Sequence, residues 1–153
     1  MEQIRGNEEI NDPTYRYMME SIIFKKEKTK TCIENLDNIA KNLRIPDMSL
    51  IIMFFKKRLS LSISVKKNRV IISNDIDKQL IKNTLYEFID YFVICSECEL
   101  PELNYFVNDN DNNYHNNHYY CTGCGHSGNF IENEYTNKII KKLYKLSDKK
   151  NTI

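Results

Sequence analysis

Four cysteines occur as two Cys-x-x-Cys pairs, an arrangement typical of a protein metal site. The pairs are Cys95 with Cys98 and Cys121 with Cys124, and 22 residues separate them. Because each Cys-x-x-Cys turn directs two thiolates at one ion, two such turns supply the four soft ligands of a tetrahedral zinc site. The sequence therefore predicts a zinc ribbon with one structural Zn²⁺, since a filled coordination shell leaves no position for a reacting water.

Other chemistries remain open for these cysteines, namely two disulfides, four free thiols, or redox catalysis by one pair. The acidic, polar N-terminus lacks the basic start and apolar stretch of a secretory signal, so we expect a reducing, cytoplasmic location, which disfavours disulfides. No apolar run approaches the roughly 20 residues that span a bilayer, and no membrane partner is expected.

The remaining cysteine and the histidines are not needed as ligands. Cys32 lies in a predicted strand and is expected to be a small buried residue. His115 and His118 lie in a polar stretch that is typical of an exposed ribbon-tip loop. His126 follows the second pair, where it either hydrogen-bonds a thiolate or lies exposed on the surface.

The apolar pattern predicts an α+β protein. Before the ribbon, the segment 18–33 favours two short strands around a basic turn, and 35–44 favours a helix that ends before Pro46. Asp47 is expected to cap a second helix that is apolar nearly all round. Alternating residues at 61–72 predict a hairpin with a basic tip, and Asp75 opens a long helix whose apolar stripe begins at Leu80.

We therefore expect four consecutive parts. These are a flexible N-terminal tail at 1–17 that lies outside the core, a small mixed α/β domain at 18–93, a four-cysteine zinc ribbon at 94–131, and a basic C-terminal helix or tail at 132–153. The glycines Gly123 and Gly125 are expected to supply backbone freedom to the second cysteine turn.

Charge is segregated along the chain although the net formal charge is +1. Counted from the sequence, residues 1–20 carry −3, 21–70 carry +8, 71–134 carry −9 and 135–153 carry +5. Such a field can orient a protein on a polyanion even when its total charge is near zero, although solvated faces are the plainer explanation.

Three local segments resemble a known family of translation factors. They are the tail Asp12–Met18 with its Tyr-Arg-Tyr sequence, the helix Asn38–Pro46, and Phe92–Glu102 around the first cysteine pair. Over roughly residues 12–130 the chain is similar to the module shared by translation initiation factor five and the β-subunit of initiation factor two, and the tail is closer to factor five. Abundant Asn, Lys and Ile are compatible with an AT-rich genome, such as that of some viruses.

The resemblance implies a factor without a substrate of its own. It would act on the small ribosomal subunit and its rRNA, beside GTP-bound initiation factor 2 with initiator tRNA, and would stimulate GTP hydrolysis there. Arg16 matches the tail arginine of the family, which would act as an arginine finger in trans. No DNA partner is expected. The candidate RNA contacts are Lys25, Lys26, Lys28, Lys30, Lys56, Lys57, Arg58, Lys66, Lys67 and Arg69.

Departures from the family leave other functions open. The turn at Lys26–Thr29 is shorter than the family's glycine-containing loop, and the given sequence ends at Ile153 before the helical-repeat domain of factor five, so we expect recruitment to differ. A second hypothesis is a binding-only module like the β-subunit, or a viral mimic that occupies the decoding region without stimulating hydrolysis. The cysteines alone are also compatible with a transcription-factor ribbon that contacts polymerase or DNA.

Overall fold

Nine strands and four helices make up the described part of the chain. The computed structural model describes residues 1–105 and 118–151, with side chains up to residue 145. In chain order the elements are β1 (Glu2–Gln3), β2 (Met18–Met19), β3 (Phe24–Glu27), β4 (Lys30–Ile33), α1 (Leu36–Asn42), α2 (Ser49–Leu59), β5 (Ile63–Lys66), β6 (Arg69–Ile72), α3 (Lys78–Phe92), β7 (Leu103–Tyr105), β8 (His118–Cys121), β9 (Ser127–Asn129) and α4 (Asn137–Asn151). This arrangement confirms the predicted α+β class.

Both predicted hairpins belong to one antiparallel sheet. Its strand order is β3-β4-β6-β5, and the central pair β4 and β6 is also antiparallel. Branched residues such as Ile33, Val70 and Ile72 are buried on the sheet and form one side of the core. A second sheet of order β7-β8-β9 forms the ribbon.

Both α2 and α3 bury an apolar face in the core, as their sequences predict. In α2 the side chains of Leu50, Ile51, Ile52, Phe54 and Phe55 are all buried. The α3 helix differs from prediction at its start. Asp77 caps it, accepting a hydrogen bond from the backbone N–H of Gln79, whereas Asp75 pairs with Lys26 at 2.9 Å. Leu80 is 45% exposed and lies outside the stripe, which begins at Ile81.

Aromatic rings connect the helices to the ribbon. Ring centroids of Phe54 and Phe88 lie 5.7 Å apart, those of Phe88 and Phe92 5.0 Å, those of Phe92 and Phe130 5.4 Å, and those of Phe130 and Tyr119 4.9 Å. These are ordinary distances for favourable aromatic pairs. One hydrophobic cluster consequently extends from Ile4 through the ribbon to Tyr144 in α4.

The N-terminal segment differs from the predicted tail outside the core. Its strand β1 pairs with β2, and Ile4 is 4% exposed. The carboxylate of Asp90 on α3 accepts a 2.8 Å hydrogen bond from the N–H of Asn7, and the hydroxyl of Tyr86 donates to Glu2 at 2.8 Å. The prediction of a tail outside the core was wrong, because it relied on the low apolar content of this segment. Strand pairing and polar contacts with α3 hold the segment instead.

The C-terminal segment 132–153 contains α4. Its buried residues Ile139, Ile140, Leu143 and Tyr144 recur at helical spacing, and the helix contacts α2 and β7. Within the described residues no helix is both long and apolar enough to cross a membrane.

We predict that Gly6→Ala will destabilise the protein by displacing Asp90. A Cβ at Gly6 would lie 1.5 Å from Oδ1 of Asp90, so the carboxylate must move away and lose its hydrogen bond with Asn7. Because this hydrogen bond is exposed to solvent, its loss should cost about 0.5–1.5 kcal/mol, which thermal or urea unfolding can measure. In an Asp90→Ala background the same glycine substitution should cost clearly less, and an equal cost would contradict this explanation.

Candidate metal centre and the segment that carries Arg16

The two cysteine turns have the same backbone construction. In the first, which follows α3, the N–H of Glu99 donates to the carbonyl of Cys95 at 2.9 Å, and Glu99 has φ of 61°. In the second, which follows β8, the N–H of Gly125 donates to the carbonyl of Cys121 at 2.8 Å, and its φ is 78°. Each turn therefore closes with a left-handed residue one position after its second cysteine.

Only one of the two predicted glycines is needed for backbone freedom. Gly125 lies in the left-handed region, whereas Gly123 does not. The first turn reaches that region with Glu99, a residue for which the conformation carries a steric cost.

All four sulfur atoms converge on one point. The ligand atoms of Cys95, Cys98, Cys121 and Cys124 lie within 4.8 Å of one another. Cys95 Sγ lies 3.8 Å from Cys124 Sγ, and Cys98 Sγ lies 3.5 Å from Cys121 Sγ. With Zn–S bonds of about 2.3 Å, a tetrahedral site places its sulfurs about 3.8 Å apart. The four cysteines thus have the geometry to hold one metal ion, and their separations are too long for disulfide bonds.

The pKa values of the thiols in this cluster shift in different directions. Burial raises the pKa of Cys98 to about 12, and the pKa of Cys124 is also raised. Burial opposes ionisation of Cys95 too, but hydrogen bonds from the backbone N–H groups of Cys98 and Glu97 outweigh it and lower the pKa of that thiol. Four thiolates this close together would repel one another, and a bound positive ion would offset that repulsion.

Of the described residues, Cys32, His118 and His126 do not belong to the sulfur cluster. Cys32 is fully buried in β4, as predicted. His118 begins β8, where its Nδ1 lies 2.6 Å from Oδ1 of Asn129, and it is not in a loop. The backbone carbonyl of His126 accepts from the N–H of Cys121, while its ring stands 6.1 Å from the ring of Tyr119. His115 lies outside the described residues.

Glu102 connects the second cysteine turn to the rest of the fold, a role that sequence patterns did not predict. The hydroxyl of Tyr17 donates to its Oε1 at 2.6 Å, and the hydroxyl of Thr122 donates to its Oε2 at 2.7 Å. Arg44, which follows α1, pairs with the same carboxylate at 3.2 Å. Three distant chain segments thus meet at one side chain. Its position after Pro101, beside the ribbon, was the only signal available.

Arg16 is presented by two anchored tyrosines. The hydroxyl of Tyr15 donates to the carbonyl of Ile4 at 2.8 Å, and Tyr17 is held by Glu102. Burial raises the pKa of Tyr15 to about 12, and the hydrogen bond with Glu102 raises the pKa of Tyr17, so both remain neutral donors. Arg16 itself is exposed and, among the described residues, has no hydrogen bond or ion pair. Its backbone is fixed while its guanidinium remains available.

The structure separates the ten cations predicted to contact RNA into different surfaces. The β3–β4 turn carries Lys28, and the β5–β6 turn carries Lys67. Because β4 and β6 are antiparallel, these turns lie at opposite ends of the sheet and do not form one patch. The lysines flanking them, Lys25, Lys30 and Lys66, are exposed, as are Lys56 and Lys57 on α2.

Four of the ten cations have acidic partners, and in the longest of these contacts Nζ of Lys25 lies 4.0 Å from Oε1 of Glu27. Arg58 contacts both carboxylate oxygens of Glu87, Lys26 pairs with Asp75, and Arg69 bridges Glu27 and Glu34 at 2.8 and 2.9 Å. These contacts raise the pKa of the guanidinium of both arginines, hydrogen bonding being the largest cause. A polyanion would have to compete with these contacts, so these four are the less available cations.

Residues 7–127 match the model of a protein family described as a domain found in initiation factors 2B and 5. The chain belongs to this family. The match contains both cysteine turns, Arg16 and Glu102, and it confirms the resemblance inferred from the tail, the α1 segment and the first cysteine pair.

Individual relatives lie on both branches of the family. The chain is 28% identical to eukaryotic translation initiation factor 5 of Dictyostelium discoideum over 99% of its length, and 32% identical to that of Mus musculus over 82%. It is 36% identical to the translation initiation factor 2 subunit beta of Nanoarchaeum equitans over 66% of its length. It spans 38% and 30% of the two factor 5 relatives, and 64% of the archaeal subunit.

Replacing Glu102 by Gln should destabilise the protein in a pH-dependent way. Hydrogen bonds from Tyr17 and then Thr122 lower the pKa of Glu102 below its ordinary value. Its stabilising contribution is therefore present above the unfolded pKa of about 4.3 and lost as pH falls through the folded pKa. The difference in free energy of unfolding between wild type and Glu102→Gln should be largest above about pH 5 and shrink on acidification.

Urea unfolding at several pH values checks this, with Glu97→Gln as the control because Glu97 lies exposed in the first cysteine turn. A pH-independent difference, or an equal effect in the control, would show that the carboxylate charge is not what stabilises the network.

Proposed function

We propose that this chain acts in translation initiation on the small-subunit preinitiation complex, where it stimulates GTP hydrolysis by initiation factor 2. The observation that carries the proposal is the presentation of Arg16, whose side chain is exposed and, among the described residues, unpaired between two anchored tyrosines. Membership of the family and the names of its relatives support a role in initiation. The chain has no substrate of its own in this scheme.

An arginine presented in this way suits catalysis in trans. Phosphoryl transfer spreads charge over the equatorial oxygens of the moving group, and a planar guanidinium can contact two of them together. A side chain already held at its backbone loses less conformational freedom on entering another protein's site. The anchoring of Tyr15 and Tyr17 therefore supports a pre-positioned finger in place of the flexible delivery that the sequence first indicated.

Arg16→Ala should lower the stimulated rate of GTP hydrolysis by about 10³–10⁵, the usual contribution of an arginine finger. The measurement is single-turnover hydrolysis by initiation factor 2 in assembled small-subunit complexes with initiator tRNA. Arg16→Lys should recover only part of the rate, because it keeps the charge but loses the planar fork. Lys41→Ala, an exposed cation of α1, is the control and should leave the rate unchanged.

A binding-only module is the second candidate, and the similarity to an archaeal beta subunit favours it. The same experiment separates the two. If initiation factor 2 hydrolyses GTP equally fast with Arg16→Ala and with wild type, while both proteins sediment with small subunits, the finger is excluded and binding alone remains. Loss of sedimentation by the wild-type chain would exclude both candidates.

We also propose that the metal held by the four cysteines is one structural Zn²⁺. Four thiolates at tetrahedral spacing are a typical ligand set of structural zinc sites. With all four positions filled by sulfur, the ion has no open position for water. When bound, the ion supplies a fixed tetrahedral centre that ties the two turns together. Cys95 and Cys98 would hold it from the end of α3, and Cys121 and Cys124 from the end of β8.

Native mass spectrometry should find one zinc ion per chain, and Cys95→Ser combined with Cys121→Ser should abolish it. Cys32→Ala is the matched control, because it removes a cysteine that is buried away from the cluster. Chelation should lower the melting temperature of the wild type and of this control. A metal-free native mass, or equal zinc content in the double variant, would overturn the assignment.

A further inference from the structure

A cavity of about 270 Å³ lies between α2 and the start of α4. Met53, Tyr135 and Ile139 contribute apolar surface to it, and Lys56, Lys57 and Lys138 contribute positive charge. Glu134 is its one acidic lining residue among those described. The site thus combines apolar walls with an excess of two positive charges.

The three lysines are available for a ligand. Within the part of the chain whose side chains are described, none of them has an ion-pair partner, and all three are exposed. The neighbouring Arg58 differs, because Glu87 accepts from its Nε at 3.1 Å. Lysines left unpaired beside a paired arginine offer positive charge that an incoming anion can use.

Helix stabilisation does not account for all of this charge. Lys56 and Lys57 lie in the last turn of α2, where cations interact favourably with the helix dipole. Lys138 lies in the first turn of α4, where a cation is unfavourable and where the helix has no acidic residue. The same exposed side of α4 continues with Lys141 and Lys145, opposite the buried side chains. A phosphate would offset this unfavourable charge.

The wall beside α4 is rigidly built. Thr136 is fully buried, its hydroxyl donates to the carbonyl of Ile131 at 2.7 Å, and it accepts from the N–H of Asn133 at 2.8 Å. The N–H of Tyr135 donates to the side chain of Asn133, and the guanidinium carbon of Arg58 lies 5.5 Å from the Tyr135 ring centroid. The cavity is therefore formed before any ligand arrives.

We propose that this cavity binds one unpaired nucleotide of a single-stranded RNA. The base would lie against Met53, Tyr135 and Ile139, and the adjoining phosphates would contact Lys56, Lys57 and Lys138. A duplex presents phosphates but keeps its bases stacked, so it would leave the apolar walls exposed. The proposal deepens the proposed function and rests on it for RNA as the source of the nucleotide.

Fluorescence anisotropy of the zinc-loaded full chain tests this with a short labelled uridine oligonucleotide. The comparison probe is an abasic strand with the same number of phosphates. Wild type should bind the uridine strand about fivefold more tightly or better, the usual contribution of one stacked base. Met53→Glu and Tyr135→Ala should each remove that preference, and circular dichroism checks that both variants fold.

Charge is tested by a triple variant, Lys56→Ala, Lys57→Ala and Lys138→Ala. It should bind uridine strands about tenfold more weakly. Each lost phosphate contact should make the slope of log affinity against log salt about 0.7 shallower, so the three together should make it about 2 shallower. The matched control is Lys25→Ala, Lys28→Ala and Lys30→Ala, which removes equal charge at the β3–β4 turn and should retain the base preference.

Four results would overturn the proposal. Two concern the lysines: the variant without the three cavity lysines binds RNA as tightly as wild type, or both triple variants lose affinity equally. Two concern the ligand: wild type binds the abasic strand as tightly as the uridine strand, or a polyglutamate peptide displaces the RNA at similar concentration. A DNA strand that binds better than RNA would overturn the assignment to RNA. Because the assay contains no GTPase or ribosome, failure here leaves the Arg16 experiment to decide the proposed function separately.

Discussion

Four cysteine sulfurs within 4.8 Å of one another are the constraint on which the architecture depends. The four sulfurs could together hold one metal ion, and they meet because two chain segments are held in a fixed relation. The end of α3 supplies one segment and the end of β8 the other. The row of aromatic rings from Phe54 to Tyr119 joins α2 and α3 to the ribbon, which gives both segments a common support.

The metal centre is also connected to the N-terminal segment through Glu102. The backbone carbonyl of Glu102 accepts from the N–H of Thr122 at 3.1 Å, and its carboxylate accepts from the hydroxyl of Tyr17. Local periodicity in the sequence predicts neither contact. The side chain of Glu102 is only 16% exposed, and hydrogen bonds to a charged group in such surroundings are among the stronger ones. The ribbon therefore helps to position the segment that carries Arg16, although Glu102 lies 85 positions after Tyr17 in the chain.

Tertiary ion pairs determine which basic side chains remain available to a polyanion. Sequence counting treats all positive charges between residues 21 and 70 alike, but folding brings acidic partners to five of them, namely Lys25, Lys26, Arg44, Arg58 and Arg69. Exposed ion pairs are individually weak, so these contacts affect availability more than stability. The basic surface consequently consists of separate parts at the two sheet ends and between α2 and α4.

The sequence by itself determined the features that arise from local spacing. Two Cys-x-x-Cys turns identified all four candidate ligands, apolar groups around a basic turn identified the first hairpin, alternation identified the second, and helical spacing identified α1 and α3, because each pattern reflects geometry within a few residues. Only the tertiary structure decided the position of Ile4, the cap at Asp77, the exposure of Leu80 and the role of Glu102. Asp77 caps a residue only two positions on, but the predicted cap Asp75 pairs with the distant Lys26. Ile4 and Glu102 likewise meet partners far away in the chain, and the pattern of a sequence carries no periodic signal for such a contact.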